Sequence, residues 1–309
     1  MKAGQFFPYY YHRISDEFYF TTRNKYLHTE RETSYDPFFI VGSGRCGSTM
    51  LRVLLEKDSR ICIPPESGAS FEKSVKYYLK YCKRYKWGKL IKDIFSIYKK
   101  DSNWKFWNIN LDTNEDNLKD LPPSHQRFDH IIRYIYRTYC KTKKPDSSIW
   151  GDKNPYMVFS LKYIIKTFPN AKLINLVRDG RDVIASWYNH KLKYDQLADI
   201  GRRWNWSLRE AEKFSARYPE NMLTVKYEDL VKSTDQWMGK IIGFLGIEYE
   251  PDPENVMVSD DLIQPHLIGS QDEINSGNIG KWKDLLSADE IKNILPLISE
   301  YMKKYNYLN

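Results

Sequence analysis

The chain has 309 residues, of which 41% are hydrophobic and 28% charged, a composition that supports a substantial core and excludes disordered and fibrous classes. Its 48 lysines and arginines outnumber 40 acidic residues, leaving a formal charge of +8. That favours anionic partners in general, whether nucleic acid, acidic lipid or a phosphorylated nucleotide, and fits a solvated basic surface equally well.

The N-terminal segment Met1 to His12 lacks the continuous aliphatic core and small-residue cleavage site of a secretory leader, so a cytoplasmic location is expected. No stretch approaches the roughly 18 uncharged apolar residues that span a bilayer, so no integral membrane segment is expected. Pro37 to Val41 reads as a short buried strand that stops at Gly42, and Thr49 to Leu55 reads as a helix. This is a strand, a glycine loop and a helix.

Between Phe71 and Lys144 lies a lysine- and tyrosine-rich stretch with Trp87, Trp104 and Trp107, helical in parts and carrying no strand of the alternation. An insertion at that point in the chain sits above a sheet's ligand edge as an acceptor-binding cap, or simply packs as a helical subdomain. The alternation then resumes. Tyr156 to Phe168 reads as helix, Lys172 to Val177 as strand, Asp182 to Asn189 as helix, Met222 to Lys226 as strand and Ser233 to Leu245 as helix. Parallel neighbours need a crossover that is usually helical. The predicted class is therefore α/β: one domain over residues 1–309, with a central parallel sheet flanked by helices and a helical insertion at about 71–144. The four cysteines, Cys46, Cys62, Cys82 and Cys140, form no C-x-x-C pair and stand at no zinc spacing, so reduced thiols and no metal site are expected.

Gly42-Ser43-Gly44-Arg45-Cys46-Gly47-Ser48-Thr49 nearly satisfies G-x-x-x-x-G-K-S/T, the P-loop pattern whose backbone N–H groups cradle phosphates. The pattern's lysine is missing: Ser48 takes its place, and the loop's cation is Arg45. A triphosphate with Mg²⁺ needs that lysine. A donor with one phosphate and one sulfate can be held by an arginine, hydroxyls and a helix terminus without metal. A second anion position follows the strand ending at Val177, where Arg178 stands at the exit and Ser186 about two helical turns further on.

These two segments resemble the sulfotransferase superfamily that uses 3′-phosphoadenosine 5′-phosphosulfate (PAPS), in the branch that includes bacterial enzymes and the protein-tyrosine sulfotransferases. The first loop resembles its 5′-phosphosulfate loop, G-x-P-R-S-G-T-T, and the second its 3′-phosphate motif. Further segments match in family order from Phe38 to Leu286. Pro64-Pro65-Glu66 resembles the segment supplying a catalytic glutamate, and Gly151 to Pro155 the element G-D-K-T/N-P. Tyr227-Glu228-Asp229-Leu230 resembles the strand end whose tyrosine lies by the adenine, and Gly277 to Trp282 the late loop G-x-x-G-x-W. Gly44, Cys46 and Ser48 depart from the usual proline, serine and threonine, and Asn275-Ser276 from the arginine and lysine of cytosolic small-molecule enzymes.

The resemblance implies a P-loop-like fold and PAPS as co-substrate without metal. The acceptor would be a small molecule or glycan with a free hydroxyl, a sterol or lipid alcohol or a carbohydrate first among them, and not a nucleic acid. It implies Arg45, Glu66 and Lys153 as catalytic residues, with Glu66 as base and Lys153 at the bridging oxygen. His266 is a rival base. The donor would be held by Gly42, Gly44, Arg45, Cys46, Gly47, Ser48 and Thr49, by Arg178 and Ser186, by Tyr227, and by Ser276, Gly277 and Lys281. A P-loop phosphotransferase and a non-catalytic nucleotide-binding relative are the alternatives.

Overall fold

The structure, a computed structural model, describes residues 6–28, 36–112, 116–189, 197–248 and 278–308, with the backbone alone for 6–14, 188 and 189. Five parallel strands form one sheet in the order β2-β3-β1-β4-β5: β1 Phe38–Gly42, β2 Ile61–Cys62, β3 Ile149–Lys153, β4 Lys172–Val177 and β5 Met222–Lys226. The helices are α1 (Phe6–Arg23), α2 (Ser48–Glu56), α3 (Ser70–Tyr81), α4 (Trp87–Lys99), α5 (Asp116–Lys119), α6 (Phe128–Lys143), α7 (Leu161–Thr167), α8 (Gly180–Asn189), α9 (Leu197–Arg217), α10 (Tyr227–Lys232), α11 (Thr234–Phe244), α12 (Trp282–Leu285) and α13 (Ala288–Lys304). The predicted α/β class and parallel sheet are what the structure contains.

β1 is buried along its whole length and β4 along all but its first residue, as expected for continuous apolar runs covered on both faces. Side chains alternate across the sheet. Phe39 and Val41 join a cluster with Trp150, Phe71, Val75 and Ile132, and Phe38 and Ile40 join one with Leu51, Leu55, Val225 and Ile241. The segment between Phe71 and Lys144 supplies the first of these layers through α3, α4 and α6, and Trp87 and Trp107 are buried in it. Most of its aromatic content is thus spent on packing, and the first turn of α3 and Tyr136 of α6 reach the site described below.

Two strands escaped the sequence reading. β2 is two residues long, and β3 contains Gly, Asp and Lys, a poor strand composition by propensity. Gly151 is needed there, because a Cβ would fall 2.4 Å from the Phe38 ring. The predicted helix from Tyr156 to Phe168 is a 3₁₀ turn, Pro155–Phe159, followed by α7. The one predicted after β5, Ser233 to Leu245, is α11 to within one residue at each end, and the short α10 precedes it.

The expectation of reduced thiols is corrected for one pair: Cys62 on β2 and Cys140 on α6 form a disulfide, with Cα atoms 5.9 Å apart across 78 residues of sequence. Tertiary packing of α6 beside β2 made the pair, so spacing carried no sign of it. Cys46 and Cys82 are free thiols.

Register sets the site. Ile40 pairs with both Lys153 and Ile174, and Gly42 pairs with Leu176. The ends of β1, β3 and β4 therefore open on one edge. The chain passes from β1 to β2 and β3 on one side and later to β4 and β5 on the other. Such a reversal of strand order beside β1 leaves a crevice at the carboxyl ends of the strands, where open α/β sheets bind ligands.

Candidate functional site

Three residues of the glycine loop have left-handed backbones: Gly44 (φ 79), Arg45 (φ 55) and Gly47 (φ 92). Left-handed residues interleaved in a loop curl it so that successive N–H groups face a common centre, an anion-binding concavity. α2 begins immediately after, at Ser48, adding the partial positive charge of its N-terminus. Gly47 is required twice over, by its φ and because a Cβ would lie 2.4 Å from the Tyr227 ring, which packs against the loop. Cys46 is wholly buried, and burial pushes its thiol pKa up. It offers the loop its backbone and not a reactive sulfur.

At the end of β3, Lys153 is 1% exposed. Its ammonium donates to the Glu66 carboxylate in a short ion pair and lies 3.4 Å from Thr49 Oγ1. Burial lowers the Lys153 pKa, and Glu66 opposes that shift. Three sequence-predicted residues from three segments thus meet at one point.

The Glu66 segment is held by residues of which the motifs supplied only Asp152. Arg52 on α2 is buried, donating 2.8 Å to Ile63 O and 3.0 Å to Glu56, while Glu56 accepts from Ile63 N at 3.2 Å. Ser67, next to Glu66, donates to Asp152, next to Lys153, at 3.2 Å, and Tyr136 donates to the same carboxylate oxygen at 2.6 Å. A buried arginine and a buried aspartate flanking the site were legible as residue types. Their partners were not.

Burial, reinforced by the charge of Glu66, pushes the Asp152 carboxyl up to about 6, against Tyr136 and Ser67, which pull it down. A carboxyl whose folded pKa exceeds its unfolded value costs stability when ionised. That cost is absent below about pH 4 and complete above about pH 6, and amounts to no more than about 3 kcal/mol. Stability measured by urea unfolding from pH 4 to pH 7 should therefore fall more steeply in the wild type than in Asp152→Asn. Parallel profiles would show that Asp152 does not titrate in that window.

The second anion position is also assembled. Arg45 Nε donates to Ser186 Oγ at 3.0 Å, and Arg178 donates to Arg45 O at 3.2 Å and to Asn278 O at 2.5 Å. The Arg178 guanidinium lies 4.7 Å from the centre of the Tyr227 ring. Its Nε–H is buried without a hydrogen-bond partner among the described residues. Burial and then the neighbouring Arg178 charge lower the Arg45 pKa. Two adjacent guanidiniums and an orphaned buried N–H make a place for a multiply charged anion. Arg45 is turned toward this second position, with Ser186 as its partner.

Asp182, another residue not singled out in the sequence, accepts from Gly280 N at 2.8 Å and Trp282 N at 2.9 Å and so ties the late loop to α8. Lys281 stands exposed on that loop, before α12. Ser276, Gly277 and the rival base His266 lie outside the described residues.

Beside Glu66 is a cavity of about 300 Å³ lined by Phe71 and Glu72 of α3 and by Tyr156, Met157 and Ser160, among others. A nucleophile placed there would reach the Glu66 carboxylate, which is part of the lining.

The protein-tyrosine sulfotransferase 1 of Danio rerio is 31% identical over 103 residues, covering 32% of this chain and 29% of that protein. The protein-tyrosine sulfotransferase of Drosophila melanogaster is 25% identical over 173 residues, covering 48% and 33%. The matches thus span about a third of the length of these relatives. Among solved structures, the sulfotransferase domain of the Synechococcus PCC 7002 olefin synthase aligns with a TM-score of 0.58 and 20% identity, over 89% of this chain and 97% of that one. The sulfotransferase domain from the curacin biosynthetic pathway aligns at 0.55 and 20%, over 85% and 97%. These two share the fold. The family model described as "Sulfotransferase family" matches residues 37–251, and the chain belongs to that family.

Proposed function

We propose that the protein transfers a sulfuryl group from PAPS to an acceptor hydroxyl and releases adenosine 3′,5′-bisphosphate. One observation carries the reading: Lys153, Glu66 and Thr49 converge at the start of α2, while Arg45 donates to Ser186 and Arg178 donates to the Arg45 carbonyl beside it. A donor charged at both its 5′ and 3′ ends uses both places.

In this mechanism the acceptor oxygen enters from the cavity and attacks sulfur. Glu66 takes the hydroxyl proton as the S–O bond forms, and the bond from sulfur to the bridging oxygen breaks in line with it. The electron pair leaves with the 5′-phosphate, where Lys153 and the α2 N-terminus meet the charge that develops. A phosphotransferase would need a loop lysine where Ser48 stands.

The sequence favours a sterol or lipid alcohol or a carbohydrate, and the relatives are named for protein tyrosine. A cavity of about 300 Å³ is at the small end of the range for ligand sites. It fits a single ring bearing the hydroxyl, a phenol or one sugar, better than a whole sterol. Incubation with labelled PAPS and panels of phenols, glycans, sterols and lipids, read by mass spectrometry, tests the reaction directly. Absence of any sulfated product would count against it.

The second anion position has its own test. Calorimetry should show that wild type prefers adenosine 3′,5′-bisphosphate over AMP by about ten- to a hundredfold, the worth of one charge-assisted arginine–phosphate contact. Arg178→Ala should lose most of that preference while binding AMP much as before. Equal affinity of the wild type for both nucleotides would remove the 3′-phosphate from this position.

A further inference from the structure

We infer that the cavity beside Glu66 takes an acceptor whose ring hydroxyl is accompanied by a hydrogen-bond donor or a cation and by no anionic group, and that Glu72 makes this selection. The inference rests on the reading above, in which the acceptor oxygen lies in this cavity.

Among the described residues the lining carries two carboxylates, Glu66 and Glu72, and neither a lysine nor an arginine, although the guanidinium of Arg203 lies 4.9 Å from the centre of the Tyr156 ring. The two carboxylates are compensated in different ways. Glu66 faces Lys153, which is buried and is not among the lining residues. Glu72 stands in the first turn of α3, where the helix terminus favours a negative charge. It accepts from Ser160 Oγ at 3.0 Å and from Lys76 Nζ at 2.7 Å, the first through one oxygen and the second through the other. Each carboxylate oxygen has room for a second donor, so Glu72 retains accepting capacity at the cavity wall. An ammonium or a hydroxyl on the acceptor can use it.

Much of the remaining wall is apolar or flat. Phe71 and Met157 close the inner side, and Tyr156, 38% exposed, forms the mouth. A carboxylate, sulfate or phosphate on the acceptor would lose water against these side chains and would meet accepting oxygens, not donors, at Glu66 and Glu72, whose lysine partners are already engaged. A neutral ring meets neither cost. A cation gains from the accepting capacity that Glu72 retains.

Three phenols of nearly one skeleton test this: tyramine, 4-ethylphenol and 3-(4-hydroxyphenyl)propanoate, carrying an ammonium, no charge and a carboxylate. With PAPS and wild type, kcat/KM should fall in that order, by about tenfold or more from first to last, as expected for a partly screened charge interaction. Glu72→Gln should shrink the ratio between tyramine and the propanoate to within about threefold, through KM and not kcat, and Glu72→Lys should reverse it. Calorimetric titration of the three phenols into the bisphosphate-loaded protein should give the same ranking. Equal efficiency of all three in the wild type, or a ratio unchanged in both variants, would overturn the inference and leave the sulfotransferase reading standing. Failure of all three to bind would overturn it as well. Loss of the underlying reading would look different: no bisphosphate preference, and no sulfated product from any acceptor class.

Discussion

Lys153→Ala should lower turnover by about a hundred- to a thousandfold, corresponding to the roughly 2.7 to 4 kcal/mol that follows removal of one preorganised donor from a developing negative charge. The structure adds a reason to the motif. The Lys153 ammonium is buried, and its partners are the Glu66 carboxylate and the Thr49 hydroxyl. In the resting state it is matched by Glu66. Once Glu66 takes the acceptor proton, the ammonium is left to the leaving phosphate, so its interaction grows as the reaction proceeds. Binding of adenosine 3′,5′-bisphosphate should fall much less than turnover. Glu66→Gln provides the complement. The amide keeps the shape and cannot take the proton, so donor binding should persist while sulfated product disappears. Near-wild-type rates in Lys153→Ala would reject its role, and near-wild-type rates in Glu66→Gln would move the base elsewhere, with His266 the first candidate to test.

Gly47→Ala should destabilise the protein by roughly 2 to 5 kcal/mol, combining the cost of a side chain in the left-handed region with that of overpacking a filled interior. The φ of 92° and the 2.4 Å approach of the added Cβ to the Tyr227 ring act independently. The obstacle is a ring edge packed under Arg178, so relief would displace both anion positions together. Urea unfolding should show the stability loss, and calorimetry should show weaker bisphosphate binding. Adding Tyr227→Ala should recover the part due to the clash and leave the part due to φ. Wild-type stability in Gly47→Ala would mean that the loop has another accessible conformation.

Sequence-level patterns were sufficient where a residue's environment repeats along the chain. β4 and β5 occur at the predicted residues and β1 within one residue of its predicted bounds, because a strand buried on both faces reads as an unbroken apolar run. The glycine loop was legible for a related reason: a turn with left-handed backbone positions between a strand and a helix demands glycine. β3 was hidden by the same logic. Its last two residues, Asp152 and Lys153, are polar because they border the site, so the strand carrying the central lysine did not look like one.

Pairings between distant segments were decided by the tertiary structure. Glu66 and Lys153 are 87 residues apart, and Arg45 and Ser186 are 141 apart. They meet because parallel pairing brings the carboxyl ends of β1, β3 and β4 to one edge. The same packing joined Cys62 to Cys140 and placed Glu72 on a cavity wall. By itself the sequence determined the class of fold, the residue types of both anion positions and the family. Which of these residues touch, how far Asp152 is pushed toward neutrality, and which charges line the acceptor cavity depend on burial and on distances of a few ångströms. Those quantities exist only once the strands have paired.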